Sequence, residues 1–359
     1  MDVTITHRVI SPGMFIGVDD ADVVSFGSGQ PDLAPPFDAG EVFLNFSRFK
    51  YGKVGGDDEL KAKLRGYVKR EFGHCVDEDC IAVTNGASEA LDLVLRKVSL
   101  GAGRRRVLLT KPYYYSYPHL ARINHMTAVY TDANIDLEDV KEKSGSCDVM
   151  IVNSPANPTG NVIEKSLLRG IQEITLDNGC VLISDEVYHS LSYGSEHYSP
   201  KGENVITINS FSKTYSLCGY RIGYVFCQNP WFMKDVCEIK AHCSMNTNLL
   251  SQRVALACLS VPGKHVVKNR EIFRRRRNHI YRRVKGLGFD VDKPQGAFYL
   301  FPKAGDSMSM ARDLFFEHKV IVYPGEWFGA PGHVRLSFAL PVEKIDEGVE
   351  RIGEYVAKL

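Results

Sequence analysis

The chain has almost no net charge. Its 44 basic and 43 acidic side chains leave +1 over 359 residues. So weak a field favours neither nucleic acid nor an anionic membrane surface as a partner. The two arginine runs, Arg104-Arg105-Arg106 and Arg274-Arg275-Arg276-Arg277, read as solvated surface rather than nucleic-acid patches. No apolar run is long enough to span a bilayer. Met1-Asp2-Val3-Thr4 lacks the basic start and apolar core of a secretory leader. The nine cysteines form no Cys-x-x-Cys pair, and Cys75 and Cys80 have no matching second pair. That argues against a disulfide or zinc framework and for free thiols in a reducing cytoplasm. There is no His-Glu-x-x-His, no EF-hand loop and no P-loop, so no metal is expected.

What is present is an alternation. Short apolar runs occur at Ile81-Ala82-Val83-Thr84, Val107-Leu108-Leu109-Thr110, Val149-Met150-Ile151-Val152, Val181-Leu182-Ile183, Val205-Ile206-Thr207-Ile208 and Tyr224-Val225-Phe226. Such runs read as strands buried on both faces. Ala87, Ala90, Leu91, Val94, Leu95 and Val98 recur at helical spacing between the first two. The pattern predicts an α/β fold with a mostly parallel central sheet. The link from Ser210 to Tyr224 is short for a helical crossover, which predicts one antiparallel pair. From about Ser251 the character changes. A long arginine-rich helical region runs toward Val284. Strand-like Phe289-Asp290-Val291, Phe298-Tyr299-Leu300-Phe301 and Val334-Arg335-Leu336-Ser337-Phe338 follow, with a closing helix from about Val342 to Val356. This reads as a smaller α+β domain. The expected division is 1–35 as an arm joining the small domain, 36–250 as the large domain and 251–359 as the small C-terminal domain.

The polar motifs fall just after the apolar runs, where parallel sheets bind ligands. Asn85-Gly86-Ala87-Ser88 opens the helix after the first run, and small residues there let backbone N–H groups approach an anion. Pro112-Tyr113-Tyr114-Tyr115-Ser116-Tyr117 offers an aromatic face for a flat ring. Asn153-Ser154-Pro155-Ala156-Asn157-Pro158-Thr159-Gly160 is a stiffened loop, with Asn157 restricted by the proline after it. Ser184-Asp185-Glu186-Val187-Tyr188 sets a carboxylate at a buried strand end, which is costly without a partner. Ser210-Phe211-Ser212-Lys213 ends in a lysine, with Arg221 close behind. A desolvated amine beside a second cation is freed to condense with an aldehyde, and an arginine also clamps a phosphate. Taken singly, these motifs read as caps, turns or packing. Pyridoxal phosphate accounts for all five together. It needs an amine, a carboxylate for its ring nitrogen, donors for its phenolic oxygen, an aromatic for its face and a cup for its phosphate.

On these motifs, with Gly29-Gln30-Pro31-Asp32, Tyr51-Gly52 and Gly219-Tyr220-Arg221-Ile222-Gly223, the sequence resembles the class I/II aminotransferases, pyridoxal-phosphate enzymes of fold type I. The resemblance runs from about Gly29 to the C-terminus. It implies an amino-group transfer between an L-amino acid and a 2-oxo acid by a ping-pong mechanism through a Lys213 aldimine. It implies Asp185 on the pyridine nitrogen, Asn157 and Tyr188 on the phenolic oxygen, Tyr114 stacked on the ring, and Gly86, Ala87, Ser88, Ser210 and Arg221 about the phosphate. Arg335 would fork onto the substrate α-carboxylate, and Gly29 would leave the substrate room. Tyr51 would reach the phosphate from a partner subunit, so a homodimer is implied.

The sequence departs from the family in two places. Little chain separates Pro36 from Tyr51, so the substrate-gating segment there differs. One branch of aspartate aminotransferases has a lysine where Ser88 stands, and its absence argues against a strict aspartate preference. The same lysine, aspartate and phosphate cup would also serve a lyase, decarboxylase or synthase of this fold, the alternative reading. A ligand-sensing regulator would carry an added DNA-binding domain. A nicotinamide dehydrogenase would need a Gly-x-Gly-x-x-Gly turn, and Gly27-Ser28-Gly29 runs into Gln30-Pro31-Asp32 instead. Phe15, Tyr113, Tyr115, Tyr117 and Trp327 either build an aromatic side-chain site or pack in the core.

Overall fold

Alternate residues of the apolar runs serve two different cores. In a computed structural model, which describes residues 10–15, 18, 20–101, 103–131 and 134–358, Val149 and Ile151 of one strand pack into one cluster while Met150 and Val152 pack into another. A strand so placed has no solvated face, which is why its sequence reads as a continuous apolar run. Met1-Asp2-Val3-Thr4, and most of the expected 1–35 arm before Ile10, lie outside the described residues.

The strands are β1 (Val24–Ser25), β2 (Ile81–Thr84), β3 (Arg106–Leu109), β4 (Thr127–Tyr130), β5 (Val149–Asn153), β6 (Val181–Asp185), β7 (Val205–Ser210), β8 (Gly223–Cys227), β9 (Tyr299–Leu300), β10 (Val320–Ile321), β11 (Tyr323–Pro324) and β12 (Val334–Ser337). The helices are α1 (Ala39–Leu44), α2 (Asp58–Phe72), α3 (Ala87–Ser99), α4 (Ser116–Ile123), α5 (Leu137–Ser144), α6 (Lys165–Asp177), α7 (Phe211–Thr214), α8 (Pro230–Cys243), α9 (Leu249–Ser260), α10 (Lys264–Gly286), α11 (Ser307–His318) and α12 (Val342–Val356). Seven strands form the central sheet in the order β2-β8-β7-β6-β5-β3-β4. All run parallel except β8, which is antiparallel to both β2 and β7. The short link predicted that reversal.

The rest of the chain builds two smaller sheets. β12 pairs antiparallel with β11 and β9, and β1 pairs in parallel with β10. The segment after β1 thus begins beside the C-terminal part of the chain. It is held there by Arg276 of α10, which grips Asp32 with a fork of 2.5 and 2.8 Å.

Several expectations need correction. β4 was not expected; Thr127-Ala128-Val129-Tyr130 lies at the sheet edge, part exposed, and lacks the run of branched apolar residues that marks the inner strands. Phe289-Asp290-Val291 is extended but belongs to no strand. The single long helix after Ser251 is two, because Pro262 has no N–H to continue α9. The second arginine run is not all surface: Arg276 and Arg277 are buried, the latter donating to the Pro294 carbonyl at 3.0 Å.

One close approach joins the sheet to the site. A Cβ on Gly223 would lie 2.8 Å from the Gly86 carbonyl carbon, 2.9 Å from the Ala87 nitrogen and 2.9 Å from the Asn209 oxygen. All three are backbone atoms, so no side chain can swing away. Gly223→Ala is expected to cost about 1–3 kcal/mol of stability, as overpacking does. Denaturant unfolding of the two proteins checks this, and an unchanged midpoint would contradict the close packing.

Candidate active site

Three strands deliver their last residues to one place. The β5–β6 register sets Asn153 beside Asp185, and β7 continues through Ser210 into the one-turn helix α7 that carries Lys213. The cavity at this edge encloses about 560 Å³. Of the expected residues, Gly29, Ala87, Ser88, Tyr114, Asn157, Asp185, Tyr188, Ser210, Lys213, Arg221 and Arg335 all line it. Gly86 lies behind the wall, against the Arg221 guanidinium. Tyr51 stands apart, 82% exposed on the outer surface.

Asp185 is the electrostatic centre of the cavity. Its carboxylate is 4% exposed. Tyr117 donates to Oδ2 at 2.6 Å and the Val187 N–H to Oδ1 at 3.3 Å. Desolvation pushes its pKa up to about 6, against the pull of the Tyr117 hydroxyl. Behind it, Asn153 donates to the Asp185 carbonyl at 2.9 Å and accepts from the Asn157 N–H at 2.7 Å. The β5 loop is thereby tied to the β6 strand end.

An anion cup lies at the start of α3. Gly86 precedes the helix at φ +80 and offers no side-chain cap, so the first-turn N–H groups stay open. A Cβ at Gly86 would come within 2.5 Å of Arg221 Nη2. Arg221 is itself left-handed at φ 51, and its Nη1 donates to the Cys218 carbonyl at 3.1 Å. The cup is braced by charge. Glu89, in the first turn of α3, accepts from the Asn85 N–H at 2.6 Å and from the fully buried Lys240 of α8 at 2.8 Å. A bare carboxylate so near the helix start would repel an anion; Lys240 neutralises it.

The opposite end is cationic and aromatic. Arg335, 2% exposed, donates to Asn157 Oδ1 at 2.9 Å and to the Gly27 carbonyl at 2.6 Å. Its Nε has no partner. The guanidinium lies 4.4 Å from the Tyr299 ring centre, 4.7 Å from that of Tyr323 and 4.9 Å from that of Phe328. Lys213 Nζ donates to the Gly29 carbonyl at 2.6 Å. A side chain at Gly29 would collide with the Tyr299 hydroxyl, which meets that of Tyr188 at 2.7 Å.

Sequence reading missed the partners. Tyr117 was left between site and core, although it is the second tyrosine of Pro-x-Tyr-x-x-Tyr. Tyr113 and Trp327 do not line the cavity, whereas Phe15, Tyr115 and Tyr117 do. The contacts of Asn153 with Asp185, of Tyr299 with Tyr188 and of Glu89 with Lys240 had no local signal, since they span 32, 111 and 151 residues of the chain.

Residues 21–352 match the family described as aminotransferase class I and II. A probable aspartate aminotransferase of Methanocaldococcus jannaschii is 34% identical, with 93% of each chain covered. The aspartate aminotransferase of Geobacillus stearothermophilus is 33% identical, covering 93% of this chain and 91% of its own. Among solved structures, the Thermus thermophilus aspartate aminotransferase with maleate superposes with a TM-score of 0.85 at 30% identity, over 93% of this chain and 91% of that one. An aromatic aminotransferase from Pyrococcus horikoshii gives 0.87 at 30% identity, over 94% and 97%.

The Asp185 carboxyl sets a pH dependence for the apoprotein. The folded chain holds this proton up to about pH 6, while the unfolded chain releases it near the ordinary value of 3.8. The group therefore destabilises the fold increasingly as pH rises from about 4 to about 6, by roughly 3 kcal/mol in all. Unfolding measured at pH 4 and pH 7 should show this loss in the native chain and not in Asp185→Asn. Tyr117→Phe should enlarge it. Equal pH profiles for all three would refute the assignment.

Proposed function

The chain belongs to the class I and II aminotransferase family and moves an amino group between an L-amino acid and a 2-oxo acid, and we propose that it does so with pyridoxal phosphate at the carboxyl edge of the central sheet. One observation carries the reading: a single cavity joins the buried Asp185 carboxylate, the Lys213 amine and the Arg335 guanidinium, drawn from three distant parts of the chain. The family match gives no support to the lyase, decarboxylase or synthase alternative.

The residues present suit that cofactor. Asp185 is buried without a cation, which is the environment a protonated ring nitrogen would satisfy. The uncapped start of α3, with Ala87 and Ser88 exposed to the cavity and Ser210 and Arg221 opposite, suits a phosphate. Tyr114, Asn157 and Tyr188 line the same cavity, which supports Tyr114 on the ring face and Asn157 and Tyr188 as donors to the phenolic oxygen. When bound, the cofactor supplies an aldehyde for amine exchange and a ring that takes up electrons from the substrate α-carbon.

The chain's own groups do the rest. Lys213 Nζ would hold the cofactor's aldehyde and, once free, would move the proton at the substrate α-carbon. Asp185 would stabilise the protonated form of the ring nitrogen. Arg335 forks onto the α-carboxylate, exchanging the Asn157 and Gly27 oxygens for the ligand's, and Gly29 leaves the ligand room. A second 2-oxo acid then runs the same moves in reverse, which gives ping-pong kinetics.

The proposal includes a division into an arm and small-domain part (1–35), a large cofactor-binding domain (36–250) and a small domain (251–359) that supplies Arg335. It also includes a homodimer. Tyr51 is exposed beside Phe49, 90% exposed, and the rim at Ser88 and Arg221 is open, which supports Tyr51 reaching a partner's phosphate cup. A cytoplasmic setting is supported by the free cysteines. Among the described residues, no helix is long and apolar enough to cross a membrane and no metal cluster is present.

Lys213→Ala is expected to abolish turnover and covalent capture of the cofactor aldehyde; retained turnover would sink the proposal. Arg335→Lys keeps the charge and loses the fork. It should raise KM for every amino acid by roughly 10- to 100-fold, the loss of a charge-assisted bidentate pair. Steady-state kinetics with several donors checks this, and an effect confined to one side chain would show that Arg335 reads something other than the α-carboxylate.

A further inference from the structure

The cavity has a wall that the reaction itself does not use. Phe15, Val18, Tyr115 and Tyr323 line it on the side of Arg335. Tyr323 links the wall to the carboxylate fork, with its ring centre 4.7 Å from the Arg335 guanidinium carbon, 6.1 Å from the Phe15 ring and 6.2 Å from the Tyr115 ring. The wall is backed by further rings. Phe315 packs edge-on to Phe15 at 5.0 Å, and Trp327 edge-on to Tyr323 at 5.0 Å. Side chains braced in this way cannot fold aside to expose a polar layer.

The charges of the cavity are already engaged. Among the described residues, its cationic side chains are Lys213, Arg221 and Arg335. On the reading above they meet the amine chemistry, the phosphate and the α-carboxylate. A substrate whose α-carboxylate sits on Arg335 carries its side chain past Tyr323 toward Phe15 and Tyr115. A second carboxylate there would lose its water against aromatic carbon, which is strongly unfavourable without a cation. A benzene ring would gain apolar burial and edge-to-face contacts with the three rings.

We infer that the wall of Phe15, Tyr115 and Tyr323 is the substrate side-chain site, and that it selects amino acids with a benzyl-type side chain over dicarboxylic ones. The inference rests on the transaminase reading above. It extends that reading to the preferred donor and to the matching aryl 2-oxo acid as product. Phe15 and Tyr115 are then specificity-determining residues.

The test is kinetic. The holoenzyme is given L-phenylalanine, L-tyrosine, L-leucine, L-alanine or L-aspartate, each with 2-oxoglutarate as the common amino acceptor, and formation of the donor's own 2-oxo acid is measured. Phenylalanine or tyrosine should exceed aspartate and leucine in kcat/KM by about tenfold or more, the range a hydrophobic pocket can discriminate. Phe15→Ala, and separately Tyr115→Ala, should lower the ratio of phenylalanine to alanine kcat/KM by roughly 10- to 100-fold. The ratio cancels any loss of folded enzyme. If aspartate or leucine is preferred, or if neither variant moves the ratio, the inference fails while the transaminase reading stands. If no amino acid yields a 2-oxo acid, both fail.

Discussion

The site is organised around a carboxylate that has been taken out of water. Asp185 ends a strand covered on both faces, so its charge has no solvent to support it. Burial raises its pKa, and the Tyr117 hydroxyl and the Val187 N–H offset only part of that penalty. Among the described residues no cation forms a hydrogen bond or ion pair with it, and Lys213, whose charge lowers its pKa, donates to the Gly29 carbonyl instead. A group in this state favours whatever brings a positive charge. That unmet demand, more than any motif, makes a protonated heterocycle a suitable occupant.

The elements around Asp185 follow from the parallel sheet. In such a sheet ligands bind outside the carboxyl ends of the strands, and β5, β6 and β7 each end there in a polar residue, Asn153, Asp185 and Ser210. This is why the site residues could be read from the sequence in order. Asn85, Asn157, Asp185 and Lys213 each lie within five residues of the end of an apolar run. What could not be read was pairing across the fold. Nothing local tells Tyr117 that its hydroxyl meets residue 185, or that Lys240 in α8 neutralises Glu89 in α3. β4 was missed because an edge strand escapes the demand for continuous apolar residues. The division between α9 and α10 falls at Pro262, which separates two segments that are each helical.

Backbone proximity is the second constraint, and glycine meets it. Gly223 on β8 lies against the turn at Gly86 and Ala87, and Gly86 lies against Arg221. A side chain at Gly223 would push the start of α3 away from the sheet, and one at Gly86 would displace the Arg221 guanidinium. The antiparallel insertion of β8 between β2 and β7 is what creates this contact, since it brings Arg221 back beside the strand that precedes the helix. The one reversal in an otherwise parallel sheet thus has a purpose: it places a cation opposite a helix N-terminus.

The charges of the cavity are therefore sorted by distance from the sheet. Asp185 sits at the strand ends, Arg221 beside the α3 start, and Arg335 on β12 across the cavity. Arg335 and Asp185 come from different sheets, and Asn157 bridges them: its amide oxygen accepts from Arg335, and its N–H is held by Asn153, which also holds the Asp185 backbone. A ligand carboxylate arriving at Arg335 must displace that amide oxygen, and the freed amide can then turn to the ligand. The buried Arg335 Nε has no partner among the described residues, and a buried donor without one favours any acceptor that reaches it.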